Sequence, residues 1–106
     1  MGPGHTESVY CNALSREFVL RGIEFEREHP FDVRYKDDVV GQGRIDFWIG
    51  GRLVLEVKAL KELHDAQVGQ VIFYLSNMGE PLGLLINFNT SLLRKGIRRV
   101  VLRIQA

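Results

Sequence analysis

The chain has 106 residues, of which 45% are hydrophobic and 25% are charged, and its formal net charge is +1 at pH 7. This size and composition predict a single globular domain spanning residues 1–106, with no room for a second core, and exclude a disordered chain. Its longest apolar runs are far shorter than the ~20 residues of a membrane span. The first residues also lack a signal peptide's basic and apolar regions. A lone Cys11 cannot form an intrachain disulfide, so we expect a cytoplasmic protein.

Charge is unevenly distributed along the chain. Residues 1–80 carry nine Lys and Arg and all thirteen Asp and Glu, whereas residues 81–106 carry five basic residues and no acid. A basic tail can attract phosphate backbones. It can equally be a solvated face that protects an edge strand from aggregation. The candidates for nucleic-acid binding in this tail are Arg94, Lys95, Arg98 and Arg99.

The first elements are a helix and an irregular strand. Residues 6–21 have helical spacing of apolar side chains, with Thr6 as a possible N-cap and Gly22 as a stop. Residues 23–38 mix aromatic and charged side chains around Pro30, which favours a strand near the edge of a sheet.

The remaining elements complete a mixed α/β pattern. Residues 43–60 read as two short strands joined by glycines. Residues 64–78 predict a second helix that ends at Gly79. Residues 82–88 form a nearly continuous apolar run, typical of a strand covered on both faces, and residues 97–104 predict a last strand. Because a helix separates the third and fourth strands, that pair should be parallel, in a mixed sheet with helices packed on it.

Three charges lie inside the predicted hairpin, and its turn decides how they are arranged. Glu56 and Lys58 share one face because side chains alternate along a strand. A two-residue loop would put Asp46 on the opposite face from Glu56. A three-residue loop pairs Ile49 with Leu53 and sets Asp46 against Glu56. This second register gives one wholly apolar face, so burial should select it strongly.

Two facing carboxylates in a half-buried site repel each other and resist ionisation. A divalent cation removes this repulsion, and oxygen ligands with open water positions suit Mg²⁺ or Mn²⁺. The alternative is a structural salt bridge of Lys58 beside an exposed sheet face. Trp48 shares the charged face in this register, and we expect it to pack under the first helix.

The arrangement of Asp46 followed, on the next strand, by Glu56-Val-Lys58 resembles the PD-(D/E)XK nuclease superfamily. The segment Gly4-x-x-Glu7-x-x-Tyr10 is similar to the signature of the GxxExxY family, a small branch of it. The likeness continues to about residue 101, in residues 33–36, Gln70-x-x-x-Tyr74, residues 82–89 and residues 96–101. It departs at the front, where members usually carry another helix before the glycine and this chain begins almost on it.

The resemblance implies a metal-dependent active site. Asp46, Glu56 and the carbonyl of Val57 would hold Mg²⁺ or Mn²⁺, which lowers the pKa of water and offsets charge on the phosphate. Lys58 would orient the water or stabilise the transition state. Glu7 would reach the metal directly or through water, although an acid in the first turn of a helix is also favoured by the helix dipole.

Gln70 and Tyr74 are four residues apart and share a helix face. They are expected to lie opposite an apolar face made of Val71, Ile72, Leu75 and Met78. The pair resembles an element of exonuclease-like members that supports the site and touches the DNA strand. A polar helix face that happens to carry both residues is the alternative.

Three functions remain open from the sequence. The first is a nuclease that acts on DNA rather than RNA, for which a cut across both strands would favour a homodimer. The second is an inactive nuclease-like module that binds nucleic acid or protein. The third is a metal-free structural domain, which requires a two-residue turn.

Overall fold

The computed structural model describes residues 6–80, 82–88 and 97–101. It contains two helices and five strands in the order helix, three strands, helix, strand, strand, which confirms the predicted order. The elements are α1 (Glu7–Leu20), β1 (Phe25–Tyr35), β2 (Asp38–Ile49), β3 (Leu53–Lys58), α2 (Asp65–Met78), β4 (Leu82–Asn87) and β5 (Ile97–Val101). Within the described ranges, neither helix is long and apolar enough to cross a membrane.

The strands form one sheet in the order β1-β2-β3-β4-β5. Neighbouring strands are antiparallel except β3 and β4, which are parallel and are connected through α2. The sheet is therefore mixed, as the helix between the third and fourth strands predicted. The structure confirms an α/β fold.

Local sequence signals set the ends of both helices. α1 begins after Thr6, whose backbone is extended, and Gly22 follows its end with a φ of +68°. α2 begins after His64, whose backbone N–H donates to Oε1 of Gln67 at 2.7 Å. It ends at Gly79, which has a φ of +69°. Glycine is favoured at both C-terminal positions because a left-handed conformation costs it no steric strain.

The sheet is covered on both faces. We call the cluster on one face the α1 layer, and its buried members are Tyr10, Cys11, Phe47, Leu55 and Val57. The cluster on the other face is the α2 layer, and its buried members are Phe31, Ile45, Val54, Val71, Leu75 and Leu85. Trp48 packs against the α2 layer, so the expectation that it lies under the first helix was wrong.

The buried face of α2 also differs from the predicted one. Val71 and Leu75 are fully buried, but Ile72 is 40% exposed. Tyr74 instead packs against the α2 layer, with its ring centroid 5.1 Å from that of Phe31. Positions 71, 74, 75 and 78 follow the i, i+3, i+4, i+7 pattern of one helix face, so the phenol ring joins the apolar stripe.

β1 is an edge strand with two irregularities, as its sequence predicted. Its register against β2 shifts between Val33 and Arg34, an irregularity of the kind that a β-bulge produces. Glu28 has a φ of +51°, a conformation that is uncommon for a residue other than glycine. Its neighbours Arg27 and His29 pair with Phe47 and Ile45, so this kink lies beside Asp46.

Candidate active site

The turn between β2 and β3 has the three-residue length that the burial pattern favoured. Ile49 pairs with Leu53, and the N–H of Arg52 donates to the carbonyl of Ile49 at 3.0 Å. Gly50 and Gly51 have φ values of +59° and +68°, which other residues adopt only with strain. This turn sets Asp46 against Glu56, so a metal-free domain with a two-residue turn is not the observed structure.

Farther from the turn, hydrogen bonds to side chains replace the backbone hydrogen bonds between β2 and β3. Counted from the turn, the last backbone pair is Phe47 with Leu55. Beyond it, the N–H of Asp46 donates to Oε1 of Glu56 at 2.8 Å, and the N–H of Val57 donates to Oδ2 of Asp46 at 2.7 Å. Each carboxyl group thus takes the place of a carbonyl on the neighbouring strand, which lets the strands separate without orphaning buried N–H groups.

The same separation reverses the alternation of side chains along β2. Phe47 belongs to the α1 layer and Ile45 to the α2 layer, although residues two apart in a regular strand share a face. Phe25 and Phe31 of β1 are divided between the layers in the same way on either side of Glu28. The predicted wholly apolar face, with Ile45 beside Phe47, was therefore wrong.

Burial and repulsion keep Glu56 protonated. Glu56 is only 3% exposed. Burial, followed by the charge of Asp46, raises the pKa of Glu56 from 4.5 to about 8, and the charge of Lys58 opposes this shift only partly. The protonated form of Glu56 is therefore favoured at pH 7.

Lys58 is the last residue of β3 and is half-buried on the same face as Glu56. Its charge lowers the pKa of Glu56, so the ammonium group lies within electrostatic reach of the acid pair. Lys58 forms no ion pair with any residue in the described part of the chain. Because Glu56 is buried, the alternative of a structural salt bridge beside an exposed sheet face does not describe this site.

The acid pair has the donor chemistry of a site for a hard divalent cation. Its backbone hydrogen bonds use one oxygen of Asp46 and one of Glu56, which leaves the second oxygen of each for a ligand. Among the described residues, no group of three or more His, Cys, Asp and Glu could hold a metal ion. Mg²⁺ often binds through one or two carboxylates and keeps several waters, so two carboxylates fit its preference. Val57 is fully buried, and solvent reaches the pair from the half-buried Asp46 and Lys58.

Glu7 lies in the first turn of α1 and is exposed. The charges of Asp46, Glu7 and Glu56 add to burial in raising the pKa of Cys11. The thiol of Cys11 is a buried group whose pKa is raised to about 11, chiefly by burial, which agrees with a packing role. Tyr10 is also buried and stacks on Phe88 with centroids 4.6 Å apart.

The two residues predicted to support the site on α2 are placed differently. Tyr74 is half-buried, and the pKa of its hydroxyl is raised to about 12 by burial and by the charges of Glu56 and Asp46. This shift places Tyr74 within electrostatic reach of the acid pair. Gln70 is exposed and, within the described residues, forms no hydrogen bond to the pair.

The basic tail is described only in part. Arg98 and Arg99 lie in β5, at the edge of the sheet beside β4, and the side chain of Arg99 is exposed. Arg94 and Lys95 lie outside the described residues. Their proposed contact with nucleic acid stays a prediction.

One site residue received no role from the sequence. Asn87 is fully buried at the end of β4, and its amide group bonds the backbone of Leu60, just beyond Lys58. A polar residue inside the apolar run of residues 82–88 was the available signal. Its partner is 27 residues away along the chain, which the sequence pattern does not reveal.

Comparison with known proteins agrees with this geometry. No curated protein and no solved structure is significantly similar to the chain. The family model of the PD-(D/E)XK nuclease superfamily matches residues 1–100, nearly the whole chain. The chain therefore belongs to the PD-(D/E)XK nuclease superfamily.

Proposed function

We propose that the protein is a divalent-metal-dependent nuclease that hydrolyses phosphodiester bonds in DNA, with Mg²⁺ or Mn²⁺ as its cofactor. The observation that carries this proposal is the pair of Asp46 and Glu56, with Lys58 on the same face as Glu56. Across β2 and β3, the carboxyl group of Glu56 accepts the N–H of Asp46, and the carboxyl group of Asp46 accepts the N–H of Val57. Burial and the charge of Asp46 disfavour the ionised form of Glu56, and a bound dication would favour that form.

Each residue of the site has a distinct task in this proposal. Asp46 and Glu56 hold the cation with their second oxygens, and the carbonyl of Val57 is the further ligand. When bound, the cation acts as a Lewis acid on the phosphate and lowers the pKa of water. Lys58 orients the attacking water or stabilises negative charge on the phosphate, because its charge acts on Glu56 and it is not held in an ion pair with a described residue.

Glu7 and the residues of α2 act at the edge of the site. Because Glu7 is exposed and belongs to no group of three ligands among the described residues, we assign it a contact to the cation through water. Tyr74 supports the acid pair from the α2 layer, and Gln70, one turn earlier and exposed, contacts the DNA strand. The tail residues Arg94, Lys95, Arg98 and Arg99 add attraction for the phosphate backbone.

Assignment to the GxxExxY branch is the finer part of the proposal. Its support is the sequence segment with Gly4, Glu7 and Tyr10, together with the exposed position of Glu7 at the start of α1. The preference for DNA over RNA rests on the same resemblance.

The test is a cleavage time course on linear, circular, branched and single-stranded DNA and on RNA, with Mg²⁺, with Mn²⁺ or with EDTA. We expect cleavage of DNA that requires the metal. The variants Asp46→Asn and Lys58→Met keep side-chain size and should each lower the rate by about 100-fold or more, the loss typical of removing one electrostatic stabiliser. Lys36→Ala is the matched control, because Lys36 lies in the β1–β2 turn, where its ammonium group contacts the ring of Tyr35.

The outcomes separate the candidate functions. Cleavage in EDTA, or equal rates for the wild type and Lys58→Met, would contradict the proposed mechanism. Cleavage of RNA alone would correct the substrate. Binding of DNA by folded protein without cleavage of any substrate would establish the binding module instead.

A further inference from the structure

The end of β4 carries a buried amide where the rest of the strand is apolar or glycine. Asn87 is fully buried, and burying an amide costs free energy unless its donor and acceptor are both satisfied. Its Oδ1 accepts the N–H of Leu60 at 2.8 Å, and its Nδ2 donates to the carbonyl of Leu60 at 2.9 Å. Both bonds therefore go to the backbone of one residue, as in a pair of ladder bonds between strands.

These bonds hold the chain just beyond Lys58. In the parallel ladder of β3 and β4, Lys58 pairs with Asn87. The backbone N–H of Phe88 donates to the carbonyl of Lys58 at 2.9 Å. The backbone is thus fixed at Lys58, the last residue of β3, and again at Leu60, where the chain leads towards α2.

We propose that Asn87 is a positioning residue for Lys58, an inference that rests on the proposed nuclease function. A lysine side chain is flexible, and Lys58 forms no ion pair with a described residue, so its backbone anchor determines where the ammonium group can lie. Reacting groups must be held within about 0.5 Å of their productive geometry. The bonds from Asn87 and Phe88 supply that constraint at the carboxyl end of β3.

Filling space does not explain an asparagine at this position. Leu85 lies two residues earlier on the same face of β4 and is equally buried with an apolar side chain. A leucine at position 87 would fill a similar volume without the cost of burying an amide. The amide forms the pair of bonds to Leu60, which a leucine cannot form.

The test combines kinetics with a double-mutant cycle. Asn87→Ser and Asn87→Leu remove the paired bonds, and we expect each to lower kcat by about 10- to 100-fold with KM for DNA unchanged, as for other supporting residues around active sites. In the Lys58→Met background, Asn87→Ser should cause no further loss, because Asn87 acts through Lys58. Leu85→Val is the control for general loosening of β4, and it should lower stability while leaving kcat unchanged.

Equal losses from Asn87→Ser in the presence and absence of Lys58 would overturn the inference while leaving the nuclease function intact. NMR provides a reading that does not depend on cleavage. After reductive ¹³C-methylation, the Lys58 signal, assigned with Lys58→Met, should shift or broaden in Asn87→Ser, and the amide of Leu60 should lose protection from hydrogen exchange. An unchanged Lys58 signal would overturn the inference even if the wild type proved inactive, a result that would itself refute the proposed function.

Discussion

The strongest quantitative expectation concerns Glu56 in the protein freed of metal by EDTA. Its pKa is raised from 4.5 to about 8 in the folded state, because burial and the charge of Asp46 disfavour the carboxylate. The folded protein therefore binds this proton more tightly than the unfolded chain does. The resulting stability is fully present below about pH 4.5 and is lost as the pH rises through about 8.

The expected loss is large compared with the stability of a small domain. One pKa unit corresponds to about 1.4 kcal/mol, so this group should cost on the order of 3 to 5 kcal/mol between pH 5 and pH 8. Total stabilities are typically about 5 to 15 kcal/mol. Glu56→Gln cannot ionise, and its amide oxygen can still accept the N–H of Asp46. The variant should therefore lack this loss and be more stable than the wild type at pH 8 in EDTA.

The assay is urea unfolding of both proteins at pH 5, 6, 7 and 8, with EDTA and then with Mg²⁺. Mg²⁺ should stabilise the wild type, by about 2.7 kcal/mol at 100 times its Kd, and should have little effect on Glu56→Gln. Glu17→Gln is the control, since Glu17 forms an exposed ion pair with Arg21 that should contribute no more than about 1 kcal/mol. Parallel pH profiles of the wild type and Glu56→Gln in EDTA would refute the reasoning.

Three further predictions follow from packing and from the turn. Gly43→Ala should lower the free energy of unfolding by about 1 to 3 kcal/mol, because a Cβ there would lie 2.4 Å from the ring of Phe31. Gly41→Ala is the control, since Gly41 has open space around it. Equal urea midpoints for the two variants would contradict the clash. At pH 8, Cys11 should react with a thiol reagent about 100-fold more slowly in the native protein than in the urea-unfolded protein. The reason is that burial raises the pKa of its thiol from 9.0 to about 11. Similar rates in the two states would contradict this prediction. Deletion of Gly51 should abolish the stabilisation by Mg²⁺ in thermal unfolding, since a two-residue loop would move Asp46 and Glu56 to opposite faces of the sheet. Gly51→Asn should retain the stabilisation, because asparagine tolerates the positive φ at this position.

The elements and the hairpin register were predictable because local signals determine them. Gly22 and Gly79 end the helices at the expected positions, and both adopt the left-handed conformation that glycine favours. The length of the turn was predicted from burial, since a one-residue slip would move the side chains of one strand to the other face of the sheet. The facing of Asp46 and Glu56 followed directly from that length.

The errors arose where tertiary contacts override a repeating pattern. Ile45 lies in the α2 layer because β2 separates from β3 there and because Glu28 in the neighbouring strand β1 has a positive φ. A prediction from the regular alternation of side chains includes neither feature. Tyr74 was assigned to the polar face of α2 because of its hydroxyl, yet its ring packs against Phe31. Asn87 was visible as a polar residue in an apolar run, but only the fold brings Leu60 to it.

The separation of the strands also determines which substitutions can test the site. In the folded protein, the carboxyl groups of Asp46 and Glu56 accept the backbone N–H groups of Val57 and Asp46. An alanine at either position would leave a buried N–H without an acceptor, at a cost of about 1 to 3 kcal/mol, as well as removing a proposed metal ligand. Loss of cleavage in an alanine variant would then have two explanations. The amide variants Asp46→Asn and Glu56→Gln keep the acceptor and remove the charge, so only they separate the structural task of these acids from the catalytic one.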